Sequence, residues 1–304
     1  MACGEEARAA FNAERRGDFL LKSDIPMPDA DLRTLCSKPD DEFGIRMEAI
    51  GKDCECHLGG GPLTVQRLNR QGTLHRLFLL IDREGSRRIL RVPLFDSGYF
   101  ECLMRLEAVT STYVRARKIR APEIQLIELR VGGGSRTCHL VEVMEGIPVA
   151  SVDDDELMCV RLLAEICDVL RRIHAIEAQG FGPLSLYPRC NEIECDERAI
   201  FRGVHASWAD FITVRLDDHL STCERIGAIS GAEAALTGKV FSGSGSLLRN
   251  VTKAAVLHGD PGSHNFITRE SAITGVLDWE DCLVGDPAYD VANQIGRASC
   301  RERV

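Results

Sequence analysis

Three strand-like runs follow the break at Gly59-Gly60-Gly61-Pro62. Leu63 to Leu68 alternates weakly, His75 to Ile81 is almost wholly apolar, and Arg88 to Val92 is short and rich in β-formers. The segments between them, Arg70-Gln71-Gly72-Thr73 and Asp82-Arg83-Glu84-Gly85, have hairpin-turn composition. From Glu101 to Arg117 the period changes: Leu103, Leu106, Val109, Thr110 and Tyr113 fall near helical spacing. Two further strands are predicted at Ile124 to Arg130 and Thr137 to Val143, turned by Gly132-Gly133-Gly134. The first half therefore reads as an antiparallel sheet with one inserted helix.

The second half has a different pattern. Asp153-Asp154-Asp155-Glu156 places negative charge where a helix start favours it. Leu157 to Ala175 then carries Val160, Leu163, Ala164, Cys167, Leu170 and His174 on one face. A second helix is expected at Trp208 to Leu220, with loops at 180–200 and 240–252. Val256-Leu257, Phe266-Ile267 and Val276-Leu277 look like short buried strands. Residues 1 to about 45 are polar, contain Pro26, Pro28 and Pro39, and read as a loosely packed extension with one short helix.

Composition narrows the class. The 304 residues are 44% hydrophobic and 27% charged, which excludes a collagen-like or wholly disordered chain. With 37 basic and 46 acidic residues the net charge is −9. That argues against nucleic acid and against an anionic membrane as partners, while tolerating a cationic substrate. Thirteen cysteines without framework spacing, and no apolar leader, point to free thiols and a cytoplasmic setting. Cys54, Cys56 and His57 lack a second pair at finger spacing.

The chemistry concentrates near the C-terminal end. The predicted short strands deliver Asp260, Asn265 and Asp278 to one rim: a carboxylate, an amide five residues on, and a carboxylate thirteen beyond. These are hard oxygen ligands of the kind Mg²⁺ takes alongside substrate phosphates. Asp286-Pro287 reads as a helix cap followed by a first-turn proline, and Asp286 and Asp290 as structural. His264 reads as a loop residue and His174 as a core histidine.

His258-Gly259-Asp260 with Asn265, followed by Asp278 after a short strand and by Gly285-Asp-Pro-Ala-Tyr-Asp290, resembles the aminoglycoside phosphotransferase and choline kinase-like family. The likeness runs from about Leu63 to Ala292. It implies a two-lobed, protein-kinase-like α+β fold: an extension over 1–62, an antiparallel sheet lobe with one helix over 63–145, and a mainly helical lobe over 146–304. It also implies ATP- and Mg²⁺-dependent phosphoryl transfer to a hydroxyl of a small molecule. Asp260 would be the catalytic base and His258 would orient its loop. Asn265 and Asp278 would hold the metal. Arg91, paired with Glu107, would meet the α- and β-phosphates, with Arg88 and Arg105 as nearby alternatives. Gly72 would lie in the loop over the phosphates, and backbone groups from Glu142 to Met144 would receive the adenine. The family continues with further helices beyond the Asp290 segment, so with fourteen residues left the chain is expected to be C-terminally truncated. Two other readings stay open: a non-catalytic nucleotide-binding protein of this fold, and a metal-dependent hydrolase using His258, Asp260, His264 and Asp278.

Overall fold

The structure, a computed structural model, describes residues 47–58, 60–68, 75–93, 98–131, 134–152, 156–184, 201–225 and 227–301. The phosphate loop with Gly72, the acidic run 153–155 and most of the 180–200 segment lie outside these residues.

The small lobe is a five-stranded antiparallel sheet in the order β1-β2-β3-β5-β4. Its strands are β1 (Thr64–Arg67), β2 (His75–Ile81), β3 (Arg87–Pro93), β4 (Ile124–Val131) and β5 (Gly134–Glu142). Phe78, Leu80, Leu90, Val92, Cys138 and Leu140 alternate onto one face and form its core. Helix α1 (Met47–Cys54) falls in the stretch read as an extension, yet it covers this face. Its Ile50 and Cys54, one turn apart, are buried there, so Cys54 serves as a core residue.

The opposite face carries a row of cross-strand partners. Leu77 pairs with Arg91, Arg91 with His139, and His139 with Leu126. Directly paired residues share a face, and helix α2 (Gly98–Ala116) packs on this one. Further along α2, Tyr113 and Val114 enter the core of the large lobe beside Leu162, Ile166, Phe266 and Trp279. One helix therefore couples the sheet to the second lobe.

The link after β5 lies along that lobe. β6 (Ile147–Pro148) pairs with β11 (Phe266–Arg269), which pairs with β12 (Ala272–Val276). Gly275 leaves room for Met144: a Cβ there would stand 3.0 Å from three atoms of the methionine side chain. Thr274 Oγ1 donates to the Glu145 carbonyl at 2.6 Å, and Arg269 pairs with the Glu145 carboxylate.

Helix α3 (Glu156–His174) buries Leu162, Ile166, Leu170 and Ile173 at three-and-four spacing, while Val160, Leu163, Ala164 and Cys167, expected on the apolar face, are exposed. A second sheet runs β10-β13-β8-β9-β7, from Ala255–Leu257, Leu283–Gly285, Phe181–Leu184, Phe201–His205 and Ala178–Gln179. The predicted helix at 208–220 is two helices, α4 (Trp208–Thr213) and α5 (Leu216–Arg225). The Ser207 side chain caps α4 by accepting from the Asp210 N–H. The loop expected at 240–252 is largely helical, α6 (Gly231–Gly243) then α7 (Gly245–Arg249). A reciprocal capping box between Ser230 and Glu233 sets α6 going despite its glycines. Helix α8 (Ala288–Arg301) follows Asp286, whose carboxylate accepts from the Ala288 N–H.

Candidate active site

The loop carrying Asp260 is held from behind by Asp290. One carboxylate oxygen accepts from the His258 N–H and from His174 Nε2, both at 2.9 Å, and the other accepts from the Gly259 N–H at 2.9 Å. Burial alone would raise the Asp290 pKa. The hydrogen bonds from His174 and from the His258 N–H, with the two imidazoles close by, outweigh it and hold the carboxyl below its ordinary value. Asn293 adds a bond to the Gly259 carbonyl at 2.9 Å.

His258 spends both ring nitrogens inside the loop. Nε2 donates to the Leu277 carbonyl at 2.9 Å and Nδ1 accepts from the Asp260 N–H at 3.3 Å. Its ring lies 4.7 Å from the buried Trp279 ring. Both ring nitrogens are thus engaged within the loop and the Leu277 segment. Asn265 Nδ2 donates to the Asp260 carbonyl at 2.9 Å, and the Asn265 carbonyl accepts from the Leu277 N–H at 2.8 Å. The loop and the segment before Asp278 are therefore one hydrogen-bonded unit.

Gly259 sits at φ 84° with its α-carbon pressed on the next segment, where a Cβ would stand 1.9 Å from the Asp281 carbonyl oxygen. A side chain has no room here and the backbone is left-handed. Gly259→Ala is expected to destabilise the protein by more than about 2 kcal/mol. A urea midpoint matching wild type would refute that reading of the turn.

Across the cleft, Arg91 reaches three carboxylates. Nη1 bonds Glu107 at 2.5 Å, and Nη2 lies 3.5 Å from Asp278 and 3.6 Å from Glu280. Of the alternatives, Arg105 pairs with Glu101 along α2 and Arg88 bonds the Arg87 carbonyl. Oxygens of Glu107, Asp278 and Glu280 lie within 4.8 Å of one another. Burial first, then the charges of Glu107 and Asp260, push the Asp278 carboxyl above its ordinary value against the pull of Arg91. Burial and the charge of Asp278 drive Glu280 well above its own. One guanidinium does not balance three clustered carboxylates, of which Glu107 is buried and Asp278 and Glu280 are partly exposed, so the donor set suits a divalent cation. Glu280 was not legible as a site residue. Asp278 adopts φ 65° and ψ 63°, and the 3₁₀ turn Trp279–Asp281 that follows swings Glu280 back beside it.

Glu142 ends β5, and Met144 lies on the link between the lobes. The Glu142 carboxylate accepts from Arg115 at 2.7 Å and from the Glu123 N–H at 2.9 Å, and its own N–H donates to the Glu123 carbonyl. Its side chain thus braces β4 and α2. His264 is half exposed, with Nε2 3.9 Å from Asp260.

The sequence model of the phosphotransferase enzyme family (APH) matches residues 65–303. The chain belongs to this family. Hygromycin-B 4-O-kinase of Escherichia coli is 26% identical to this family member over 217 residues, which make up 70% of the chain and 56% of the relative. The chain thus spans a little over half the length of that curated relative. Among solved structures, a thermostable mutant of aminoglycoside phosphotransferase APH(4)-Ia, in ternary complex with AMP-PNP and hygromycin B, superposes with a TM-score of 0.55. It shares 22% identity, and the match covers 79% of this chain and 75% of that one. Aminoglycoside phosphotransferase APH(3'')-Id from Streptomyces rimosus gives 0.51 at 16% identity, covering 84% of each chain. These likenesses establish for this phosphotransferase family member the two-lobed, protein-kinase-like α+β fold. Among the described residues, no helix is long and apolar enough to cross a membrane.

Proposed function

We propose that this chain transfers the γ-phosphoryl group of ATP, with Mg²⁺, to a hydroxyl of a small molecule. The observation that carries the reading is the juxtaposition of two units. One is the Asp260 loop, fixed by His258, Asn265 and Asp290. The other is the carboxylate cluster of Asp278 and Glu280 under the Arg91–Glu107 pair. Asp260 accepts the proton of the acceptor hydroxyl as that oxygen forms its bond to the γ-phosphorus. The bond from phosphorus to the bridging oxygen breaks, and ADP leaves with the electron pair. Arg91 binds the α- and β-phosphates, and its fork geometry suits phosphate oxygens as it suits carboxylates. Asp278 and Asn265, with Glu280, would hold Mg²⁺. When bound, the metal neutralises the charge on the β- and γ-phosphates. The backbone of Glu142 to Met144 receives the base.

The relatives named above point to aminoglycosides as the first acceptors to try, and a net charge of −9 suits a polycationic acceptor. The test is ADP release with ATP and Mg²⁺ over a panel of hydroxyl acceptors that includes hygromycin B. The product mass should rise by one phosphoryl group. Acceptor- and Mg²⁺-dependent turnover is expected. Tight Mg²⁺–nucleotide binding with no transfer across the panel would instead support the non-catalytic reading.

A further inference from the structure

Two buried imidazoles, from different strands, close on one residue of helix α2. His139 of β5 is fully buried, and its Nε2 lies 2.7 Å from the Met104 carbonyl oxygen. His75 of β2 is also buried, with Nε2 3.1 Å from the Met104 sulfur. Met104 is thereby held by its main chain and its side chain at once. Glu107 comes three residues later, on the same side of the helix, with Oε1 on Arg91. Arg91 is the direct cross-strand partner of His139.

We propose that His139 is a positioning residue for phosphoryl transfer: it locks α2 on the sheet in the register that gives Glu107 to Arg91. The inference rests on the phosphotransfer reading above.

A carbonyl only accepts, so the Nε2 of His139 must carry the hydrogen in the Met104 contact. With its ring hydrogen on Nε2 for that bond, this imidazole has none on Nδ1 to offer. What it turns toward Glu107 is therefore the lone pair of Nδ1, 3.5 Å from Oε2. Two acceptors at that distance do not bond, and among the described residues neither of these two atoms has a hydrogen-bond partner. The carboxylate is satisfied instead through Oε1, on the guanidinium. His139 thus acts twice. It anchors α2 through Met104, and it presents Glu107 with a wall that favours Arg91 as partner. The Arg91 fork, fixed on one side, keeps Nη2 beside Asp278 and Glu280, where the nucleotide phosphates are handled. An apolar residue at 139 would fill the space at lower desolvation cost, but it would supply neither the N–H nor the lone pair.

Three variants separate this role from plain packing. The amide of His139→Gln reaches the place of Nε2 and keeps the bond to Met104. His139→Asn is shorter, so its amide falls near the place of Nδ1, where it would donate to Glu107 and draw it from Arg91. His139→Leu removes both effects. Titration with AMP-PNP and Mg²⁺ should show affinity falling about tenfold for Leu and for Asn. The Gln variant should stay near wild type. Once an acceptor is in hand, KM for ATP should follow the same order while KM for the acceptor stays put. In a Glu107→Gln background, His139→Leu should add little, since the two act as a unit. If Leu does not fold, the contrast between Gln and Asn, which lose the same ring, still decides. Equal nucleotide affinity for Gln and Asn, or a full Leu effect on top of Glu107→Gln, would overturn the proposal. Failure of the wild-type protein itself to bind Mg²⁺–AMP-PNP would fell the phosphotransfer reading, and this inference with it.

Discussion

Replacing Asp260 with asparagine is expected to lower kcat by about 10²- to 10⁴-fold, the usual range for losing a general base, while nucleotide affinity and melting temperature stay near wild type. The loop is built to survive the change. Its main-chain bonds, from the Asp260 N–H to His258 Nδ1 and from Asn265 Nδ2 to the Asp260 carbonyl, do not use the carboxylate. The anchor behind it is Asp290, which holds the N–H groups of His258 and Gly259. The charge of Asp260 also raises the Asp278 carboxyl, so removing it eases the metal cluster and gives no reason for weaker Mg²⁺–nucleotide binding. A fall in kcat with intact AMP-PNP binding is the signature of a base. An unchanged kcat would remove Asp260 from the role. A joint loss of turnover, binding and stability would make it a structural residue.

Much of this arrangement was legible because it depends on short-range patterns. The runs at His75–Ile81 and Ile124–Val131 are apolar enough to read as strands, and α2 keeps a helical period. Asp260, Asn265 and Asp278 could be grouped from spacing because short buried strands leave few ways to join them. Arg91 and Glu107 were found through a family likeness rather than through any local pattern, and the structure shows them 2.5 Å apart. What was missed depends on tertiary contacts or on capping. Among its described side chains helix α1 packs Ile50 and Cys54 into the sheet's core, too sparse a stripe to stand out in a polar stretch. Helices α6 and α7 hide behind Gly238, Gly243 and Gly245. Glu280 needs the left-handed Asp278 to bring it round. His139 and His75 read as ordinary strand residues until the docked helix shows what they hold.

Asp278→Asn should move activity and stability in opposite directions. Asparagine tolerates the left-handed backbone that Asp278 adopts, so the substitution removes charge without adding the strain an alanine would bring there. Without metal, this partly exposed carboxylate stands among the charges of Glu107, Glu280 and Asp260 with one guanidinium to answer them, and its ionised form is disfavoured. A neutral amide relieves that repulsion, so the metal-free variant is expected to melt higher than metal-free wild type. With Mg²⁺ and AMP-PNP the order reverses. The wild type gains stability because a ligand that binds only the folded state shifts its melting point up, whereas the variant, short of one anionic ligand, gains little. Turnover should fall by about 10²- to 10³-fold, as when a preorganised electrostatic partner of the transition state is removed. Scanning calorimetry with EDTA, then with Mg²⁺ alone, then with Mg²⁺ and AMP-PNP reads all three effects. A variant that melts lower than wild type in EDTA would mean that Arg91 overrides the repulsion. A variant that keeps the full Mg²⁺-dependent rise would take Asp278 out of the metal site and leave Glu280 and Asn265 to explain the cluster.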